Sequence, residues 1–160
     1  MPPIVWKRGR GRLGVFQPLL GAWVAEADSP QGHVRCVRWF TRVLGGTYVQ
    51  LDARWEFADS VYEERALFGV DRERALRFWS FTSDGKHSTG VLADGTDVHP
   101  QALAFEAHMD AGLARQVYWP DADEGLRWAV ESHSRKGWNR FVEHHYVPLV
   151  DDGEAARQAR

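Results

Sequence analysis

The 160-residue sequence lacks the residue types that mark several common classes of protein. Its only cysteine, Cys36, cannot form an internal disulfide bond and gives no basis for a cysteine-based zinc site. No apolar run approaches the roughly 18 residues that span a bilayer as a helix. The N-terminus is basic, but no apolar segment follows it, so we expect no signal peptide. These absences favour a cytoplasmic protein.

Charge and nucleotide motifs are also sparse. A net charge of −2 gives no general attraction to nucleic acid or to an anionic membrane. The sequence has no P-loop, no Gly-x-Ser-x-Gly motif and no dinucleotide-binding glycine motif between a strand and a helix. No His and carboxylate spacing is typical of a zinc-binding helix. We therefore expect no nucleic-acid or membrane partner, no metal and no cofactor.

Alternating apolar residues predict an all-β protein. On either side of Gly45-Gly46, every second residue is apolar, which is typical of strands with one buried face. These positions are Val37, Trp39, Thr41 and Val43 before the glycines and Val49, Leu51, Ala53, Trp55 and Phe57 after them. The partly polar residues between them are expected to face water or the lumen of a wide barrel: Arg38, Arg42, Gln50, Asp52, Arg54 and Glu56. No window has a helical apolar stripe, and residues 16–20 are expected to form a short helical turn at most.

The remaining segments predict about ten strands joined by short turns. They are residues 20–28, 33–57 (a hairpin), 62–70, 75–81, 87–93, 102–109, 113–119, 126–133 and 138–148. Asp84-Gly85 and Asp94-Gly95 are strong turn signals. Such a meander closes into a barrel to remove its edges, and a barrel of this size has room for a ligand. We expect a partly ordered basic leader (1–15), a barrel (16–149) and a frayed tail (150–160).

Gly21-x-Trp23 opens the first predicted strand and resembles the signature of the calycin barrels, which include lipocalins and fatty-acid-binding proteins. The resemblance implies an up-and-down antiparallel barrel with a ligand in its lumen. It also implies that Trp23 closes one end, with a basic residue from a late strand packed across it. Arg140 is the best candidate for that residue and Arg127 the second.

Three further segments, residues 42–49, 67–81 and 138–146, resemble in matching order the bacterial domain of unknown function 1579 family. The resemblance covers Leu19 to Tyr146 and implies a barrel with a pocket. It implies no established chemistry.

A more distant resemblance is to nitrobindin-like haem-binding barrels. In those proteins the axial histidine lies on the last strand, three residues before a tyrosine. Glu143 stands three residues before Tyr146 here, so haem ligation is disfavoured, although His145 lies one pleat further along the same predicted face.

The candidate binding residues combine aromatic walls with a polar pair. Eight tryptophans are an excess for this length, and we expect several to line the lumen. Glu143 and His145 share the parity of Phe141 on the last strand, and we expect this set to face inward. The predicted ligand-binding residues are Trp39, Trp55, Trp79, Trp128, Phe141, Glu143 and His145.

Three functional hypotheses follow. The leading one is a barrel that binds a small, mostly apolar molecule without transforming it. The second is an enzyme in which Glu143 and His145, with Glu131 or His133 nearby, form an acid–base pair acting on a small carbonyl or polyketide-like substrate. The third is an interaction role in which the barrel pairs as a homodimer.

Overall fold

A computed structural model of the chain describes residues 6–122 and 125–150. Ten strands make up most of it, and their bounds agree with the predicted strands to within one or two residues. The strands are β1 Gly21–Ser29, β2 Gly32–Val43, β3 Tyr48–Glu56, β4 Val61–Val70, β5 Leu76–Thr82, β6 His87–Ala93, β7 Leu103–Met109, β8 Gly112–Pro120, β9 Leu126–Ser134 and β10 Gly137–Pro148.

The ten strands form one closed antiparallel barrel. Each strand pairs with its neighbours in sequence, and β1 closes the sheet by pairing with β10. Closure leaves no sheet edge exposed, which removes the main aggregation liability of a long meander. The prediction of an all-β, calycin-like up-and-down barrel is therefore confirmed at the level of the fold.

Local sequence explains the tight turns. Between β5 and β6, Gly85 adopts a φ of 84°, a region that side chains with a Cβ rarely occupy. Asp84 accepts hydrogen bonds there from the Lys86 amide at 3.2 Å and from the Thr82 hydroxyl at 2.5 Å. The Asp-Gly turn signal in the sequence is thus used as expected.

A 3₁₀ helix, Arg12–Leu19, closes one end of the barrel. Phe16 is fully buried, and its ring centroid lies 4.7 Å from that of Phe68 and 6.0 Å from that of Phe105. The helix is longer than the predicted turn at residues 16–20, and it includes part of the predicted leader. Its apolar residues do not repeat along one side of the helix, because the buried side chains plug the end of the barrel.

The leader and tail predictions fall only partly on described residues. Trp6 is paired with the Gln101 side chain, which donates to the Trp6 carbonyl at 3.2 Å and accepts from the Trp6 amide at 3.1 Å. Residues 1–5, 123–124 and 151–160 lie outside the described residues. Within the described residues, no helix has the length and apolar character needed to cross a membrane.

The inner face of β2 differs from the prediction. Val34, Cys36, Arg38 and Phe40 point into the barrel and are each no more than 2% exposed. Trp39, on the other parity, therefore lies on the outer face. Both parities of this strand mix apolar residues with arginine, Arg38 and Arg42 in one and Arg35 in the other, so the polar residues did not identify the inner face.

Trp79 also points outward. Its neighbours Phe78 and Ser80 are buried in the barrel, and successive side chains of a strand face opposite sides. The ring of Trp79 instead packs against Tyr48, with centroids 6.3 Å apart. The prediction that Trp39 and Trp79 line the lumen is wrong.

A β-bulge reverses the inward parity of the last strand. Arg140 pairs with Glu131 and Val142 with Val130, so Phe141 is an extra residue without its own partner. A one-residue shift moves every later side chain to the opposite face. Phe141, the bulged residue itself, is 63% exposed.

Candidate functional site

A cavity of about 670 Å³ lies in the lumen, at the end of the barrel opposite the 3₁₀ helix. It is reached between the β5–β6 and β7–β8 turns, whose residues line its mouth. Its inner walls are mostly apolar and aromatic. The residues that form them include Trp55, Phe78, Phe105, Trp128 and Val130. Clefts of this size and character are typical of small-molecule sites.

Arg38 lies beneath this cavity and reaches across the lumen. The strand β2 places it between the small neighbour Ala53 on β3 and the ring of Trp23 on β1, with which it is in register. Its guanidinium donates a hydrogen bond of 2.7 Å to the Tyr118 hydroxyl on the opposite wall. The guanidinium carbon also lies 4.4 Å from the ring centroid of Trp128. The Arg38 side chain therefore lies next to Trp128, one of the walls of the cavity.

The surroundings of Arg38 keep it charged. Burial alone would lower the pKa of Arg38, but the oxygens of Tyr118, Tyr146 and Glu64 outweigh that effect and raise it above its usual range. Burial raises the pKa of Tyr118 to about 12, so the phenol stays neutral. The result is a fixed positive charge in a low-dielectric interior, where electrostatic interactions are strong.

Three polar side chains face the cavity near its floor. Glu64 accepts a hydrogen bond of 2.5 Å from the Ser80 hydroxyl. Gln116 accepts one of 3.3 Å from the indole N–H of Trp128. These few groups on apolar walls can orient one polar end of a ligand.

His144 faces the lumen where the sequence interpretation had placed Glu143 and His145. It is 7% exposed and lies between Trp55 and Trp128, with ring centroids 5.2 Å and 5.3 Å away. Burial, and then the charge of Arg38, lower its pKa to about 4. His144 is therefore a neutral imidazole packed against two indoles.

Glu143 and His145 lie on the outer face of the barrel, because the bulge at Phe141 reverses the parity. Glu143 pairs with Arg127 at 3.0 Å and with Arg140 at 2.5 Å. His145 lies 2.7 Å from Asp121. The expected inward position of both residues is wrong, and neither lines the cavity.

The predicted contact of Arg140 with Trp23 is absent as well. Trp23 lies opposite Pro148 near the far end of β10, and its indole donates to the Leu19 carbonyl at 2.8 Å. Arg140 instead stacks on Trp119, with its guanidinium carbon 4.8 Å from the ring centroid, and pairs with Glu131 at 2.9 Å. Trp23 thus ties the first strand to the plugging helix without a late-strand arginine.

Of the predicted aromatic ligand-binding residues, three line the cavity: Trp55, Trp128 and Phe141, of which Phe141 is 63% exposed. The ring centroids of Trp55 and Trp128 lie 6.0 Å apart. Trp39 and Phe81 line a separate groove of about 570 Å³ on the outer face of β2–β5, and Phe81 is 62% exposed. Trp79 lines another outer groove that also includes Phe81.

Sequence reasoning missed Arg38, Glu64, Tyr118 and His144. A signal for Arg38 was present, because its strand neighbours at i−2 and i+2 are Cys36 and Phe40, both of types that are usually buried. No comparable signal marked His144, since its orientation depends on a bulge that the residue types around it do not specify.

Comparisons with known proteins give no family for this chain. No protein-family profile matches it, and no curated protein sequence matches it significantly. Within the described residues, no group of three or more His, Cys, Asp or Glu side chains is arranged to hold a metal ion. The chemistry of the site therefore has to be argued from the cavity itself.

Proposed function

We propose that this protein is a calycin-like barrel that binds one small, mostly apolar molecule in its lumen and does not transform it. The observation that carries the proposal is the cavity of about 670 Å³, with aromatic walls that include Trp55, Phe78, Phe105 and Trp128. Burial of apolar ligand surface against such walls stabilises a complex by about 25 cal/mol per Å² before the costs of association. The resemblance to the domain of unknown function 1579 family agrees with this role.

The residues around the cavity favour binding over catalysis. His144 is neutral and packed between two indoles, and the Cys36 thiol is buried, which raises its pKa to about 11. The acid–base pair of the enzyme hypothesis lies outside the cavity, with Glu143 in an ion pair with Arg127 and His145 beside Asp121. The predicted acid–base pair therefore does not face a molecule held in the lumen.

A fluorescence titration with the neutral probe N-phenyl-1-naphthylamine tests the proposal. Ala114 lines the cavity, so Ala114→Trp should fill part of it and weaken probe binding by at least about tenfold, equivalent to about 1.4 kcal/mol. Ala122 is exposed in the turn between β8 and β9, at the opposite end of the barrel, so Ala122→Trp is a matched control. Equal binding by both variants, or no binding by the wild-type protein, would show that the lumen is not the site.

A further inference from the structure

The guanidinium of Arg38 is incompletely satisfied. The side chain is 1% exposed, and its Nε and Nη1 atoms have no hydrogen-bond partner among the described residues. Nη2 donates to the Tyr118 hydroxyl at 2.7 Å, and the Tyr146 hydroxyl also interacts with the guanidinium. A guanidinium carries five N–H donors, and buried donors of a charged group are costly to leave unpaired.

The charge of Arg38 is also weakly compensated. Within the described residues, its one carboxylate partner is Glu64, whose Oε1 lies 3.8 Å from Nη2, beyond hydrogen-bond distance. Glu64 instead accepts a hydrogen bond from Ser80. A buried charge is normally paired and hydrogen-bonded, so this arrangement leaves room for a further acceptor.

The position of Arg38 relates it to the cavity. Arg38 is not among the residues that line the cavity, but Glu64 and Trp128 both line it and both lie against the Arg38 guanidinium. A ligand that enters between the apolar walls and displaces the Glu64 carboxylate would bring its inner end to the guanidinium, first to Nη2, the nitrogen that Glu64 approaches. A carboxylate suits this position, because its two oxygens accept parallel hydrogen bonds from a guanidinium.

We propose that the lumen takes an amphipathic carboxylic acid, with its carboxylate against Arg38 and its apolar chain along Trp55, Trp128 and Phe105. This inference rests on the proposed function and adds the chemical class of the ligand. It assigns opposite roles to two residues of the site. Arg38 attracts the carboxylate, and Glu64 competes with it for the same guanidinium.

The test is displacement of N-phenyl-1-naphthylamine by three ligands with the same chain, used below their micellar concentrations: dodecanoate, dodecanol and dodecylamine. The wild-type protein should bind dodecanoate at least about tenfold more tightly than dodecanol. Arg38→Met should abolish this preference and keep dodecanol binding. Glu64→Gln should increase the preference severalfold, because it removes the competing carboxylate.

Arg38→Met and Glu64→Gln test the head-group assignment separately, so either variant is sufficient if the other folds poorly. Equal binding of dodecanoate and dodecanol by the wild-type protein, tightest binding of dodecylamine, or a weaker dodecanoate preference in Glu64→Gln would overturn the assignment of the head group. In each of these cases, retained dodecanol binding would leave the apolar-ligand function standing. Failure of all three ligands to bind would overturn both the head-group assignment and the proposed apolar-ligand function.

Discussion

Protonation of His144 should destabilise the barrel in mildly acidic solution. In the folded protein, burial and the nearby charge of Arg38 lower the pKa of His144 from its ordinary value of 6.5 to about 4. Between these two pH values the unfolded chain binds a proton at this position and the folded chain does not. The free energy of unfolding therefore falls as the pH drops from 6.5 to about 4, and is unaffected by His144 above 6.5.

The size of the effect follows from the shift in pKa. A fall from 6.5 to about 4, at about 1.4 kcal/mol per pKa unit, gives a loss of about 3 kcal/mol across this range. The matched control is His144→Gln, which keeps a polar side chain beside the Tyr146 hydroxyl but does not titrate. Other histidines and the carboxylates titrate in both proteins, so the difference between the two pH profiles isolates His144.

The assay is urea unfolding, followed by tryptophan fluorescence, at several pH values between about 7 and about 4. The stability advantage of the wild-type protein over His144→Gln should shrink by about 2–3 kcal/mol over this interval. Profiles that stay parallel to within about 0.5 kcal/mol would refute the argument, because they would mean that His144 titrates normally in the folded barrel.

Two further predictions concern the closed end of the barrel. Phe16→Ala should lower the free energy of unfolding by about 3–5 kcal/mol, since it empties a fully buried site between Phe68 and Phe105. Denaturant unfolding measures this loss, and a loss below about 1 kcal/mol would contradict the role of Phe16 as a plug. Trp23→Phe should cost about 1 kcal/mol, because it removes the indole hydrogen bond to the Leu19 carbonyl. Trp23→Ala should cost about 3 kcal/mol, and equal melting temperatures for the two Trp23 variants would contradict a packing role for the ring.

The fold was predictable because two independent signals agreed. Alternating apolar residues located the strands, and Gly45-Gly46 and Asp84-Gly85 marked two of the tight connections, so the strand bounds follow largely from local sequence. The helix Arg12–Leu19 was underestimated because a plug has no periodic face. Its burial depends on Phe68 and Phe105, which are distant in sequence.

The site was less predictable, because the alternation of apolar and polar residues does not by itself decide which side chains of a strand point into the lumen. On β3 and β9 the inner parity is clearly the apolar one, and the lumenal positions of Trp55 and Trp128 followed from it. On β2 both parities mix apolar residues with arginine, so the sequence left open whether Arg38 faces water or the lumen of a wide barrel. On β10 the extra residue Phe141 reverses which side chains point inward. His144 therefore faces the lumen, and Glu143 and His145 face outward.

Location of a bound ligand tests the central claim most directly. A crystal structure of the protein with N-phenyl-1-naphthylamine should show the probe in the lumen, between Trp55 and Trp128 and above Arg38. The outer groove lined by Trp39 and Phe81 offers an alternative apolar surface on the same molecule. Probe density confined to that groove, with the lumen unoccupied at saturating probe, would contradict a lumenal binding function.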